Sequence, residues 1–286
     1  MSKHVNASRI ARVASVLRKV SSEALDAAEA NDPQFQAVVT IAGRHGEAVV
    51  AIVVANAVVS YRLNMHGEEY WTMYGRFWST RPTPTTADEV IKGVLEFMRE
   101  VRVPVYEQKA SRLRKVYDLI SELIEDPRVF TDLELLYKRL VKSLGRNRYQ
   151  KTSAFAAKMA YYAFRALDRE VTRLDAIPVP LDRRFAVLTA TSGIIPMHPD
   201  VIYTRLRDVA EQAWRRVSQD AMIPPVRLDT LLWLPARSIE PVVMKGLIGI
   251  ARDEFAHKLV HVTLGRIDVK LADRIAEEIL YTIEWL

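Results

Sequence analysis

A chain of 286 residues, 49% hydrophobic and 27% charged, can bury one large core or two modest ones, and its composition excludes intrinsic disorder. The lack of any cysteine removes disulfides, thiol nucleophiles, thiolate zinc sites and Cys-ligated iron–sulfur clusters together. Forty-one Lys and Arg against thirty-five Asp and Glu leave a formal charge of +6, a balance that suits a nucleic-acid backbone or an acidic lipid surface equally.

The N-terminal "MSKHVNASRIARVASVLRKV" reads as an amphipathic helix with interspersed charge rather than a signal peptide. Ser8 is the expected start, and Ile10, Val13, Leu17 and Val20 mark the apolar face. The run "AVVAIVVANAVVSY", residues 48 to 61, is too short to span a bilayer and contains Asn56, so it reads as a buried helix. No membrane partner and a cytoplasmic location are expected. Thr86 with Glu89, and Thr131 with Glu134, each fit a capping box. Gly145 then follows the second of these helices where a C-terminal cap belongs, the chain turns at "GRNR", and a new helix carries Lys151. This is a helix, hairpin, helix unit.

Pro178 and Pro180 force "AIPVPL" to be extended, because proline lacks an amide donor and restricts its predecessor. Asp182 sits where an N-cap belongs, before a short helix ending near Gly193. Asp200 is expected to open "VIYTRLRDVAEQAWRRV", and "PPVRLDTLLWLPARS" supplies a helix with Asp229 and Trp233 on one side. The tail from Pro241 reads as two further helices. The fold is expected to be all-α.

No Ser-His-Asp pattern, nucleophile elbow, phosphate loop or dinucleotide fingerprint is present, so no cofactor is expected. Of the six histidines, His257 and His261 could share a helix face, but "HKLVH" lacks the Glu of a zinc-protease motif, and no metal site is expected. Lysine is the remaining nucleophile. Lys151, Phe155, Lys158 and Tyr162 recur at helical spacing on one face. Two readings stand: lysines that snorkel from a surface helix, or an amine whose charge is disfavoured by the helix start and by its neighbour, ready to form a Schiff base. Asp182 either caps its helix or stabilises positive charge as a glycosidic bond breaks. Trp71, Phe155 and Trp233 could stack on a flipped base, and Gln34, Lys158 and Asp229 could read its edge, though each is also an ordinary core or surface residue. Arg146 and Arg148 in the hairpin suit DNA phosphates.

The blocks "NDPQFQAV", "RHGEAVV", "SYRLNMHGEEYW", "YQKTSAFAAK", "IPVPLDRRFAVLT" and "IPPVRLDTLLWL" occur in that order between about Asp32 and Arg237. In them the chain resembles the archaeal 8-oxoguanine DNA glycosylase/lyases, the AGOG family, a divergent branch of the helix-hairpin-helix glycosylases. The resemblance implies two helical subdomains with the active-site cleft between them, close to the hairpin. It implies a glycosylase domain over residues 1–240, its hairpin unit at about 131–165, and leaves 241–286 as a helical C-terminal extension. It makes Lys151 the Schiff-base nucleophile and Asp182 its catalytic partner. Gln34, Ser60, Trp71, Phe155, Lys158, Pro180, Asp229 and Trp233 become the base-binding set. The hairpin departs from the wider superfamily in offering one glycine, and residues after about 238 lie beyond the aligned blocks.

The expected activity is therefore base-excision repair: removal of 8-oxoguanine from double- or single-stranded DNA and β-elimination at the abasic site, by a nucleoid-associated enzyme with no obligate protein partner. A glycosylase for another damaged base, or a non-catalytic helical DNA-binding module, are the alternatives. Gln34 is the candidate reader of the lesion's N7 hydrogen.

Overall fold

The computed structural model describes residues 4–285, and of residues 146–150 the backbone alone. Among the described residues the chain is helical, with one isolated bridge between Asp132 and Thr172. The all-α expectation holds. The chain forms two compact units, one of residues 1–32 with 178–286 and one of residues 33–177.

The first unit takes α1 (Ala7–Leu17) and α2 (Ser22–Ala30) from the start of the chain. The second unit follows with α3 (Pro33–His45), α4 (Val49–Ala57), α5 (Gly67–Ser79), α6 (Ala87–Glu100), α7 (Tyr106–Lys115), α8 (Tyr117–Glu125), α9 (Leu133–Leu144) and α10 (Arg146–Ala166). The chain then returns to the first unit with α11 (Arg183–Thr191), α12 (Pro199–Arg205), α13 (Arg207–Ala221), α14 (Pro225–Trp233), α15 (Ile239–Val243), α16 (Ile248–Val262) and α17 (Val269–Ile279).

In the second unit α4 is buried along its whole length, wrapped by α6, α8 and α10. A helix apolar on every side needs cover on every side, and this packing accounts for its composition. Helices α3 and α5 cross closely at Gly75, where an added Cβ would stand 3.1 Å from the Ala37 Cα. One residue, Gly145, links α9 to α10; its φ of 85° lies where side chains other than glycine's are strained. The hairpin is thus tighter than "GRNR" suggests, since α10 begins at Arg146.

In the first unit α1 packs on α13 and α17, and α16 on α17, so residues 241–286 share a core with the N-terminal helix. Buried Arg9 ties these ends together: its guanidinium donates to the Ser192 and Glu278 carbonyls and lies 3.8 Å from the Tyr281 ring centroid.

Several helix starts differ from expectation by a residue or two. Asn6, not Ser8, caps α1, accepting from the Arg9 amide. Asp132 replaces Thr131 at α9, its carboxylate accepting from the Glu134 and Leu135 amides. His198 rather than Asp200 caps α12, and the expected single helix breaks at Leu206. Thr86 does cap α6, and Glu89 reaches back both to the Thr86 amide, as the box requires, and to the Thr85 amide.

Candidate active site

In the second unit, Lys151 lies five residues into α10 and is half-buried. That corrects the helix-start argument: the macrodipole acts within the first turn, and Lys151 lies beyond it. The expected stripe does form. Lys158, 1% exposed, places its ammonium 5.3 Å from the Tyr162 ring centroid, and Tyr162 meets Phe35 edge-on at 5.2 Å. Phe155 is half-buried and meets Trp71 edge-on at 6.1 Å. Trp71 is itself enclosed, with Tyr74 at 5.6 Å and Tyr70 at 6.4 Å.

Gln34, buried in the first turn of α3, brings its amide nitrogen to 4.0 Å from where a Gly67 Cβ would sit. Packing of α3 on α5 and α10 therefore assembles Gln34, Trp71, Phe155 and Lys158 in one region of the unit. Ser60 follows α4 and donates to the Asn56 carbonyl at 2.8 Å. Beside it the Tyr70 hydroxyl donates to the Asn56 side-chain oxygen at 2.7 Å. Burial pushes the Tyr70 phenol far above its usual range, with the Ser60 hydroxyl acting the other way, so Tyr70 stays a neutral donor. The Asn56 amide nitrogen is buried without a hydrogen-bond partner. Asn56 and Tyr70 are the polar support of Ser60. The lone Asn inside an apolar run was their only signal in the sequence.

In the first unit Asp182 is an N-cap and more. One carboxylate oxygen accepts from the Phe185 amide at 3.0 Å, and the other from the Trp233 indole N–H at 2.7 Å. The buried Pro178 to Leu181 segment fixes the approach to α11, since two prolines hold it extended. Trp233 ends α14 and Asp229 lies one turn earlier, 4% exposed. Arg184, which the sequence does not single out, lays its guanidinium 3.8 Å from the Trp233 ring centroid and donates to the Trp233 carbonyl at 3.5 Å. Its neighbour Arg183 pairs instead with Asp200 and Glu240. The Arg146 and Arg148 side chains lie outside the described residues.

Each unit carries its own chemistry. The second holds amines, rings and a buried amide; the first holds a carboxylate oriented by two donors and carrying an aromatic partner.

Comparison with known proteins identifies the family. The family model for AGOG, N-glycosylase/DNA lyase, matches residues 14–260. An N-glycosylase/DNA lyase from Pyrobaculum aerophilum is 33% identical over 240 residues, covering 81% of this chain and 88% of the relative. One from Aeropyrum pernix is 31% identical over 247 residues, covering 82% and 84% respectively. The crystal structure of 8-oxoguanosine-complexed Pa-AGOG, an 8-oxoguanine DNA glycosylase from Pyrobaculum aerophilum, aligns with a TM-score of 0.71 at 30% identity, over 92% of this chain and 98% of that one.

Proposed function

Because the chain belongs to the AGOG family of N-glycosylase/DNA lyases, we propose that it excises 8-oxoguanine through a Schiff base on Lys151 and then cleaves the abasic strand by β-elimination. In this reading the Lys151 amine attacks C1′, the bond to N9 breaks, and the base departs. The C1′ adduct opens to a protonated imine. That imine acidifies the C2′ hydrogen, whose loss expels the 3′ phosphate and leaves an unsaturated sugar that hydrolysis releases from the lysine.

Asp182 stabilises the positive charge that develops on the sugar. Its carboxylate is held by two donors, and a fixed carboxylate avoids reorganisation as that charge appears. This pair of hydrogen bonds is the observation that carries the proposal, since a purely capping Asp needs only the first. Phe155 and Trp233 offer half-buried faces for a flipped base, and Gln34, Ser60, Lys158 and Asp229 offer its edge partners. Pro180 stiffens the approach to Asp182, and Trp71 backs Phe155. Arg146 and Arg148 are assigned to the DNA backbone, and the substrate to duplex or single-stranded DNA in the nucleoid.

The test is single-turnover release of 8-oxoguanine, with strand scission, from a duplex carrying one lesion and from its guanine counterpart. The proposal predicts both products from the lesion alone. Release of another damaged base in place of 8-oxoguanine from a mixed panel would overturn the substrate assignment.

A further inference from the structure

Asp182 and Arg184 stand two residues apart at the start of α11, and both hold the same partner, Trp233, 51 and 49 residues away. The carboxylate takes the indole N–H of Trp233 at 2.7 Å; the guanidinium covers the ring at 3.8 Å and reaches the Trp233 carbonyl at 3.5 Å. The indole is therefore fixed to α11 through its edge, its face and its backbone. Without it, Asp182 would be held by one oxygen alone, through the Phe185 amide, and the second oxygen could swing about that bond. The guanidinium covers one face of the ring, and the half-buried indole also packs against the core of this unit.

We propose that Trp233 is a positioning residue for Asp182, and that Arg184 is the clamp that holds Trp233 in place to do it. This rests on the reading of Asp182 as the group that stabilises the sugar's charge. The indole then has two functions. Its N–H sets the carboxylate, and in the proposed reading its ring also stacks on the flipped base, so that the ring seating the base is also the ring aiming the charge. Arg184 acts at one remove. It touches neither base nor sugar, and its contribution is the orientation of an aromatic ring through a cation over its face. Arginine suits the task because its planar guanidinium stacks and donates at once.

Three variants of the full chain test this: Trp233→Phe keeps an aromatic face and loses the N–H, Arg184→Met removes the cation, and Arg184→Lys restores it. Each is measured for single-turnover excision from an 8-oxoguanine duplex, and for affinity toward a duplex with the 2′-fluoro analogue, which binds without reacting. Trp233→Phe and Arg184→Met should each slow excision about tenfold or more while affinity for the analogue changes by about threefold at most. Arg184→Lys should recover part of the rate, because it returns the cation but not the planar stack. Wild-type excision by Trp233→Phe would overturn the positioning role, as would losses confined to affinity. Equal rates in Arg184→Met and the wild type would overturn the clamp. A wild-type protein that releases no 8-oxoguanine would instead remove the reading beneath, so the two failures are distinguishable.

Discussion

Lys109 offers a sharp physical test. It lies in α7 with its side chain wholly buried, and its ammonium makes no hydrogen bond. Its nearest favourable contact is the Tyr61 ring, 5.2 Å from the nitrogen, which it shares with Arg112 at 3.9 Å. Burial, followed by the neighbouring Arg112 charge, pushes Lys109 down from 10.5 to about 8. At about 1.4 kcal/mol per tenfold change in proton affinity, keeping this amine protonated costs the fold about 3 kcal/mol. Contact with Tyr61 returns part of that, about 0.5 to 2 kcal/mol. Lys109→Met, close in volume and uncharged, should therefore stabilise the protein by about 1 to 3 kcal/mol at pH 7, or several degrees in Tm. The sign of the pH dependence is fixed. Between about 8 and 10.5 the unfolded lysine binds more protons than the folded one, so wild-type stability gains from this group as pH rises, and the advantage of the methionine variant shrinks. Denaturant titrations at pH 7 and pH 10 measure both effects. A variant less stable than wild type at pH 7, or an advantage that ignores pH, would refute the reasoning.

Other consequences can be measured the same way. Asp182→Asn keeps a competent cap but offers one acceptor to two donors and no charge, so excision should fall by about a hundredfold or more while lesion binding stays near wild type; parallel losses in both would leave only the capping role. Gln34→Ala should erode the preference for 8-oxoguanine over guanine by about 1 to 3 kcal/mol in a competition assay. An unchanged ratio would move the reader from the side chain to a backbone acceptor. Gly93→Ala places a Cβ 2.5 Å from the buried Trp78 ring, and calorimetry should show a loss of about 1 to 3 kcal/mol; neutral stability would mean that α6 yields freely.

Periodicity and composition made the helices and the hairpin legible, because an apolar stripe and a glycine at a helix end are local signals. Cap identity was harder. At α9 Thr131 and Asp132 are adjacent acceptors, and the carboxylate took both amides; at α1 Asn6 took the place expected for Ser8. Such near-ties are decided by a degree of backbone path that sequence does not carry. The joining of the chain's two ends in one unit depends on α1 meeting α17 across some 260 residues, which no window reveals. The candidate residues were nominated as a set through resemblance to a family, yet the contacts between them were not legible. Arg184 looked like one basic residue among many until the fold brought Trp233 beneath it.

Borohydride trapping tests the central claim most directly. Wild-type protein incubated with an 8-oxoguanine duplex and reductant should yield one covalent protein–DNA adduct. Peptide mapping should place the modification on Lys151, and Lys151→Ala should form none. An adduct of undiminished yield in that variant, or one mapped to Lys158, would contradict the account.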